Sequence, residues 1–298
     1  LLVPVLCAGA VWSSASSAAE RNDILFESNF ETGKISHVDE SVDGWYVSAL
    51  DPDHAAITSS VSRESDHAFR MFIDKNLDYS SLNKSGDDKP RVNLQKYSLK
   101  FDYETDYWIA WSVYIPTDWV DDLSTNWTAI MQLKQPIGGS PILGMSIEGG
   151  NWRIQNRRDE NDVTWNDDTG IKTVLYKGPT RDDKGKWVDF VVNFRLCVSA
   201  DCDGKIRIWK DGEQNVDVSG PNAYQLSDRG GPFLTLNLYK SCWKLNESFV
   251  QTREIFFDAV RIGGPQSDFA SVAPEGSGVG YVPQTRPLPP KLSASPSP

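Results

Sequence analysis

The chain has 298 residues, with 30 Lys and Arg against 41 Asp and Glu, a formal net charge of −11. That length suits one large β domain or two ordinary ones, and 39% apolar residues can bury a sizeable core. No run of Lys or Arg appears, which excludes the basic patch of a nucleic-acid binder; an acidic polymer as ligand would need a cationic cleft that is local.

Residues 1–19 begin Leu-Leu-Val-Pro-Val-Leu-Cys and end Ser-Ala-Ala before Glu20. An apolar run followed by small residues predicts the remnant of a secretory signal, truncated because Met and a basic start are missing. Cys7 follows a Leu where a lipoprotein signal prefers a small residue, so no lipid anchor is expected. No later stretch approaches a membrane span. The expected product is a soluble, secreted monomer with no membrane and no nucleic-acid partner. Of the four cysteines, Cys7 leaves with the signal. Cys197 and Cys202 bracket the short turn Val-Ser-Ala-Asp and predict a hairpin-end disulfide; Cys242 is left as a thiol. A Cys-x4-Cys pair with no Cys or His nearby is poor zinc spacing. Sequons at Asn83, Asn126 and Asn246 permit glycosylation in a eukaryotic host.

Residues 20–264 read as one domain. Residues 24–33 give a strand and turn, 67–74 a strand, and 75–90 a polar loop. In Arg91-Val-Asn-Leu-Gln95, Arg91, Asn93 and Gln95 share one face and Val92 and Leu94 the other. Residues 106–116 form an aromatic strand stopped by Pro116. In the strand 128–134, Ile130, Gln132 and Lys134 share a face. Residues 142–147 and 152–156 predict a hairpin around Glu148-Gly149-Gly150. The pair 187–195 and 205–210 follows, then a strand over 233–240 and a closing strand over 253–262. After Gly264 the Pro, Ser and Gly content predicts a flexible tail or severed linker over 265–298. No ten-residue amphipathic helix stands out. Many strands with Gly and Asp turns predict an all-β sandwich.

The strand Gly231-Pro-Phe-Leu-Thr-Leu-Asn-Leu-Tyr-Lys240 is the most informative. Leu234, Leu236, Leu238 and Lys240 share one face, and the leucines belong in a core. Phe233, Thr235, Asn237 and Tyr239 share the other. An aromatic, a hydroxyl, an amide and a phenol in a row suit the floor of a groove for a polar ring. An ordinary sheet face with Tyr239 filling space is the alternative.

Several segments together resemble jelly-roll polysaccharide lyases of the heparin-lyase-I and glucuronan-lyase kind. They are Phe26-Glu-Ser-Asn-Phe-Glu-Thr-Gly33, Trp108-Ile-Ala-Trp-Ser-Val-Tyr-Ile-Pro-Thr-Asp-Trp119, Gly185-Lys-Trp-Val-Asp-Phe-Val-Val192, Ile208-Trp-Lys-Asp-Gly212 and Phe257-Asp-Ala-Val-Arg-Ile-Gly263. The resemblance spans roughly residues 24–264. It implies a concanavalin-like β-jelly roll of two antiparallel sheets, whose concave sheet holds an acidic polysaccharide. In that group and in jelly-roll alginate lyases, three strands build the cleft. Arg91-Val-Asn-Leu94 stands where an Arg-x-Glu-Leu-like motif is usual. Gln132-Leu-Lys134 stands for Gln-x-His, and Thr235-Leu-Asn-Leu-Tyr239 for Lys-x-Gly-x-Tyr. Lys134 thus replaces a histidine, Asn93 a glutamate and Thr235 a lysine, so a histidine-base mechanism does not transfer. A lysine paired with a tyrosine resembles some lyases that act on ulvan.

By that resemblance the reaction is a β-elimination: a base removes C5–H of a uronate, charge develops on the carboxylate, and O4 leaves with a proton. Arg91 can grip the carboxylate in bidentate fashion, and Gln132 and Asn93 add neutral donors. Lys134 can be the base if burial and Arg91 lower its pKa. Tyr239 can be acid or base. The catalytic candidates are therefore Tyr239, Lys134, Arg91 and Gln132, and the substrate-binding ones Asn93, Thr235, Asn237 and Lys240. His37, His54 and His67 read as loop residues, with His54 the alternative base. No cofactor is required; Glu31 and Asp258 stand where jelly rolls often hold a structural Ca2+. The competing readings are a non-catalytic carbohydrate-binding module and a glycoside hydrolase. The hydrolase needs two carboxylates across the scissile bond, and these strand faces offer none in pairs.

Overall fold

A computed structural model describes residues 23–38, 40, 43–83, 85–136, 139–159, 170–224 and 230–277. The signal-like stretch 1–19 lies outside them. The chain forms two antiparallel sheets. One contains, in order across it, β13 (Glu213–Ser219), β12 (Lys205–Lys210), β11 (Trp187–Arg195), β6 (Asp106–Tyr114), β15 (Thr252–Gly263), β4 (Ala68–Asp74) and β3 (Ala55–Thr58), with β1 (Ile24–Ser28) also paired to β15. The other contains β10 (Ile171–Pro179), β9 (Asn151–Arg158), β8 (Leu143–Glu148), β7 (Thr128–Lys134), β14 (Phe233–Tyr239), β5 (Arg91–Gln95) and β2 (Tyr46–Ser48). This is the two-sheet sandwich expected from the strand periodicity, and the jelly roll that the resemblance implied.

The core lies between the sheets. Val92 and Leu94 on β5, Leu234, Leu236 and Leu238 on β14, and Met131 and Leu133 on β7 meet Ile109, Trp111 and Val113 of β6 and Ile255 and Phe257 of β15 in one buried cluster. All ten residues on β5, β14, β6 and β15 are fully excluded from solvent. Burying one such aliphatic side chain contributes about 1.5–3 kcal/mol before entropy is counted. The β8–β9 hairpin closes through Gly149 and Gly150 at φ +55° and +74°. Two successive left-handed residues match the twist of a tight hairpin, and glycine adopts them without strain.

Several expectations are corrected. Strands β2, β3, β10 and β13 were not expected. β10 and β13 are edge strands, and most of their residues face solvent, so they lack the apolar alternation that marks a strand. In β7 the register slips between Ala129 and Met131. That bulge turns Ile130 into the core, fully buried, rather than onto the face of Gln132 and Lys134. The flexible tail does not begin at residue 265. Asp268 caps the short helix α1 (Phe269–Val272) in a capping box with Ser271, Val272 is fully buried, and Ser277 bonds the buried carboxylate of Asp189. A four-residue helix is too short for periodicity to reveal it. Residues 278–298 lie outside the described residues.

Cys197 and Cys202 form the expected disulfide and Cys242 is free. Asn126 is buried, and its amide donates to the Glu247 carbonyl, which closes that sequon to a glycan. Glu31 accepts from the backbone N–H groups of Asp66 and His67 and pairs with His67. Asp258 accepts from the N–H groups of Arg63, Glu64 and Ala259. Both candidate calcium ligands therefore hold backbone, chiefly the 63–67 turn. Among the described residues no group of three His, Cys, Asp or Glu could hold a metal. Among them too, no helix is long and apolar enough to cross a membrane.

Candidate active site

Strand parity places the polar residues of β5, β7 and β14 on the outer face of the seven-stranded sheet. The pairings set them in rows. Tyr239 lies opposite Arg91 on β5 and Ala129 on β7. Asn237 lies opposite Asn93, and its Nδ2 donates to Gln132 Oε1 at 3.2 Å. Thr235 lies between Gln95 and Gln132. That last row continues through Gly144 to Gln155 on one side and to Tyr46 on the other. The face is recessed, since Thr235 and Asn237 are 2% and 1% exposed although they point away from the core.

Three buried polar atoms of this floor have no partner: Arg91 Nε, Thr235 Oγ1 and Asn237 Oδ1. Buried polar atoms are nearly always hydrogen-bonded, so three in one patch point to groups kept for a ligand. Arg91 is anchored by a bond to the Leu82 carbonyl. Burial raises the Tyr239 phenol above its ordinary value, while a hydrogen bond with Ser241 and the charges of Lys89 and Arg91 work against that rise. Trp127 meets the Tyr239 ring edge-on at 6.0 Å. At the other end of β14, Phe233, Tyr97 and Tyr46 form an aromatic run at 4.6 and 5.4 Å, with Lys100 over Phe233 at 4.1 Å.

The structure does not bring Lys134 and Tyr239 together. Lys134 is opposite Phe233, six residues from Tyr239 along β14, or roughly 20 Å at about 3.3 Å per residue. Its Nζ donates to the Gly139 carbonyl at 2.9 Å, in the loop leading away from Tyr239. Burial, then the charges of Arg91 and Arg157, lower its pKa as expected. Lys240 does not face the groove. It is 1% exposed, points to the core side, and bonds Asp122 at 3.2 Å and the Asn126 carbonyl. His54 packs against Phe72 and Tyr79, and His67 pairs with Glu31 at 3.1 Å.

The rest of the sheet adds what strand-by-strand reading missed. Its seven strands carry seven basic residues, Arg91, Lys134, Arg153, Arg157, Arg158, Lys172 and Lys177, and one acid, Glu148. Glu148 pairs with Arg153 at 3.2 Å. On β9, Arg153, Gln155 and Arg157 alternate with Trp152 and Ile154, which are fully buried; that alternation was visible in the sequence. A chain of net charge −11 thus concentrates positive charge on one sheet.

The sequence matches the polysaccharide lyase family over residues 30–261. Among solved structures, an endo-β-1,4-glucuronan lyase from the fungus Trichoderma reesei aligns with a TM-score of 0.62 at 15% identity, covering 80% of this chain and 97% of that one. A marine alginate lyase from Aplysia kurodai aligns at 0.49 with 13% identity, covering 74% and 90%. A binding domain of botulinum neurotoxin DC aligns at 0.48 with 9% identity, covering 82% and 48%. At such identities the likeness concerns the fold. No curated protein matches the sequence.

Proposed function

The chain belongs to the polysaccharide lyase family, and we propose that it is exported and cleaves a uronic-acid polysaccharide by β-elimination on the outer face of the seven-stranded sheet. The observation that carries this reading is the charge of that sheet, seven basic side chains to one acid in a strongly acidic chain. A neutral glucan gives no reason for such a concentration, whereas a carboxylate on successive sugars does. The Cys197–Cys202 disulfide supports export.

Arg91 takes the uronate carboxylate and offsets the charge that develops when C5–H is removed. Its unpartnered Nε leaves part of the planar fork free for that contact. Gln132 and Asn93 supply neutral donors beside it. Tyr239, directly across from Arg91, carries one proton from C5 to the departing O4. It starts as the phenolate, which Lys89 and Arg91 favour and burial opposes. One group then serves as base and acid, so no partner at Lys134 is needed. Lys134 instead binds a neighbouring sugar's carboxylate farther along the strand. Glycoside hydrolysis lacks its carboxylate pair, because Glu148 is the sheet's one strand acid.

A panel of polysaccharides read by ultraviolet absorbance tests the proposal. Polyuronates such as glucuronan, alginate and ulvan should include at least one that yields the conjugated, unsaturated uronate end, while neutral glucans stay unchanged. Absence of that chromophore from every uronate polymer would sink it.

A further inference from the structure

Outside the sheet face, a cavity of about 490 Å³ lies between the segments that follow β6 and precede β15. Trp119, Val120, Phe249 and Phe72 give it apolar walls, and Arg253 lines it as well. Arg253 is 4% exposed. Its guanidinium lies 4.2 Å from the centre of the Trp119 ring, and its buried Nε has no hydrogen-bond partner. Burying even one donor of a permanently charged fork without a partner is costly.

The neighbouring carboxylates of Asp122 and Asp121 offset this only in part. Lys240, next to Arg253 electrostatically, takes the buried carboxylate of Asp122 as its own partner at 3.2 Å. Asp122 also accepts from Ser248 at 2.6 Å. The buried cluster therefore holds two cations and one anion; the further acid near Arg253, Asp121, is partly exposed and pairs with Lys184 at 3.0 Å. Two acids line the cavity, Asp118 and Glu254, and Glu254 is taken by Arg70 at 2.5 Å. A ring stacked on one face of a guanidinium leaves the in-plane N–H groups as its binding edge, and that edge fits a carboxylate.

We infer that this cavity is a second binding site for an acidic sugar, separate from the cleavage groove, with the sugar's carboxylate on Arg253 and its ring against Phe249 and Val120. Phe249 is 66% exposed and Val120 55%, so the apolar wall is open to an incoming ring. The inference rests on the proposed uronate substrate for the identity of the sugar, and on Arg253 for the site. A polymer held there stays attached between cleavage events in the groove.

Titration of glucuronate by calorimetry, with glucose as the neutral control, tests the site. Arg91→Ala with Lys134→Ala removes both carboxylate grips of the groove and should leave one glucuronate bound. Arg253→Met added to that double variant should weaken the remaining binding tenfold or more, because a charged hydrogen-bonding partner is lost. Phe249→Ser in the same background should weaken it as well, and it tests the site should Arg253→Met fail to fold. Arg253→Met alone should keep the rate of uronate cleavage on short oligosaccharides. The inference is overturned if the double variant binds no glucuronate, if neither added substitution changes its binding, or if glucose binds as well as glucuronate. Failure of the uronate reading would show separately, as wild-type protein that cleaves no polyuronate.

Discussion

Replacing Tyr239 by Phe should leave the fold and substrate affinity in place and lower kcat by about 10²–10⁴-fold, the usual worth of a positioned proton transfer. The substitution removes one hydroxyl from a half-buried ring whose packing against Trp127 is unaffected. Because Tyr239 is assigned both transfers, no second residue retains half of the effect. The pH profile of kcat carries the same assignment. Burial holds the phenol above its ordinary value, so the phenolate fraction, and with it the rate, should climb with pH through the neutral and mildly alkaline range. Arg91→Ala should both raise KM and lower kcat, since it touches the carboxylate before and during the reaction. Lys134→Ala should act mainly on KM, because its side chain lies far along β14 from Tyr239. A Tyr239→Phe enzyme with near-full kcat would remove tyrosine from the mechanism.

Replacing Lys240 by Ala should destabilise the protein by about 3–5 kcal/mol, the typical cost of breaking a buried ion pair from one side. The side chain of Lys240 is wholly buried and that of Asp122 is 3% exposed. Burial and the neighbouring charge of Arg253 lower the lysine to about 8, against the pull of Asp122. Its loss strands the Asp122 carboxylate and the Asn126 carbonyl, which it also bonds. Urea denaturation measures the cost as a shift of midpoint without change of slope. Lys240→Met combined with Asp122→Asn removes both charges and should recover much of the loss. Substrate affinity, measured where the variants are folded, should hardly move. A large rise in KM with unaltered stability would return Lys240 to the substrate site.

Lys240 also shows what a strand pattern can and cannot convey. Its parity with Leu234, Leu236 and Leu238 already placed it on the core side; only its charge argued for a polysaccharide. Asp122, its partner, lies 118 residues earlier, and no local pattern links the two. The arginine, glutamine, asparagine and tyrosine of the floor were legible, because alternation on β5, β7 and β14 assigns faces without knowledge of pairing. Which of them lie side by side was not legible. That depends on inter-strand register, and a bulge at Ile130 shifts it. The same limit separated Lys134 from Tyr239, two residues that share a face and stand at opposite ends of it. β10 went unread because an edge strand packed on one side need not be apolar. The capping box Asp268–Ser271 was in the sequence, but the Pro, Ser and Gly around it looked like a tail.

The central claim is that this sheet eliminates O4 from a uronate instead of adding water across the glycosidic bond. Digestion of a susceptible polyuronate in water enriched with heavy oxygen, followed by mass spectrometry of the first products, tests it most directly. Elimination breaks the C4–O4 bond without consuming water. The fragments should carry an unsaturated uronate end, one water lighter than hydrolysis products, with no heavy oxygen incorporated at the moment of cleavage. Saturated fragments with one heavy oxygen per cleavage, at the new reducing end, would contradict the account.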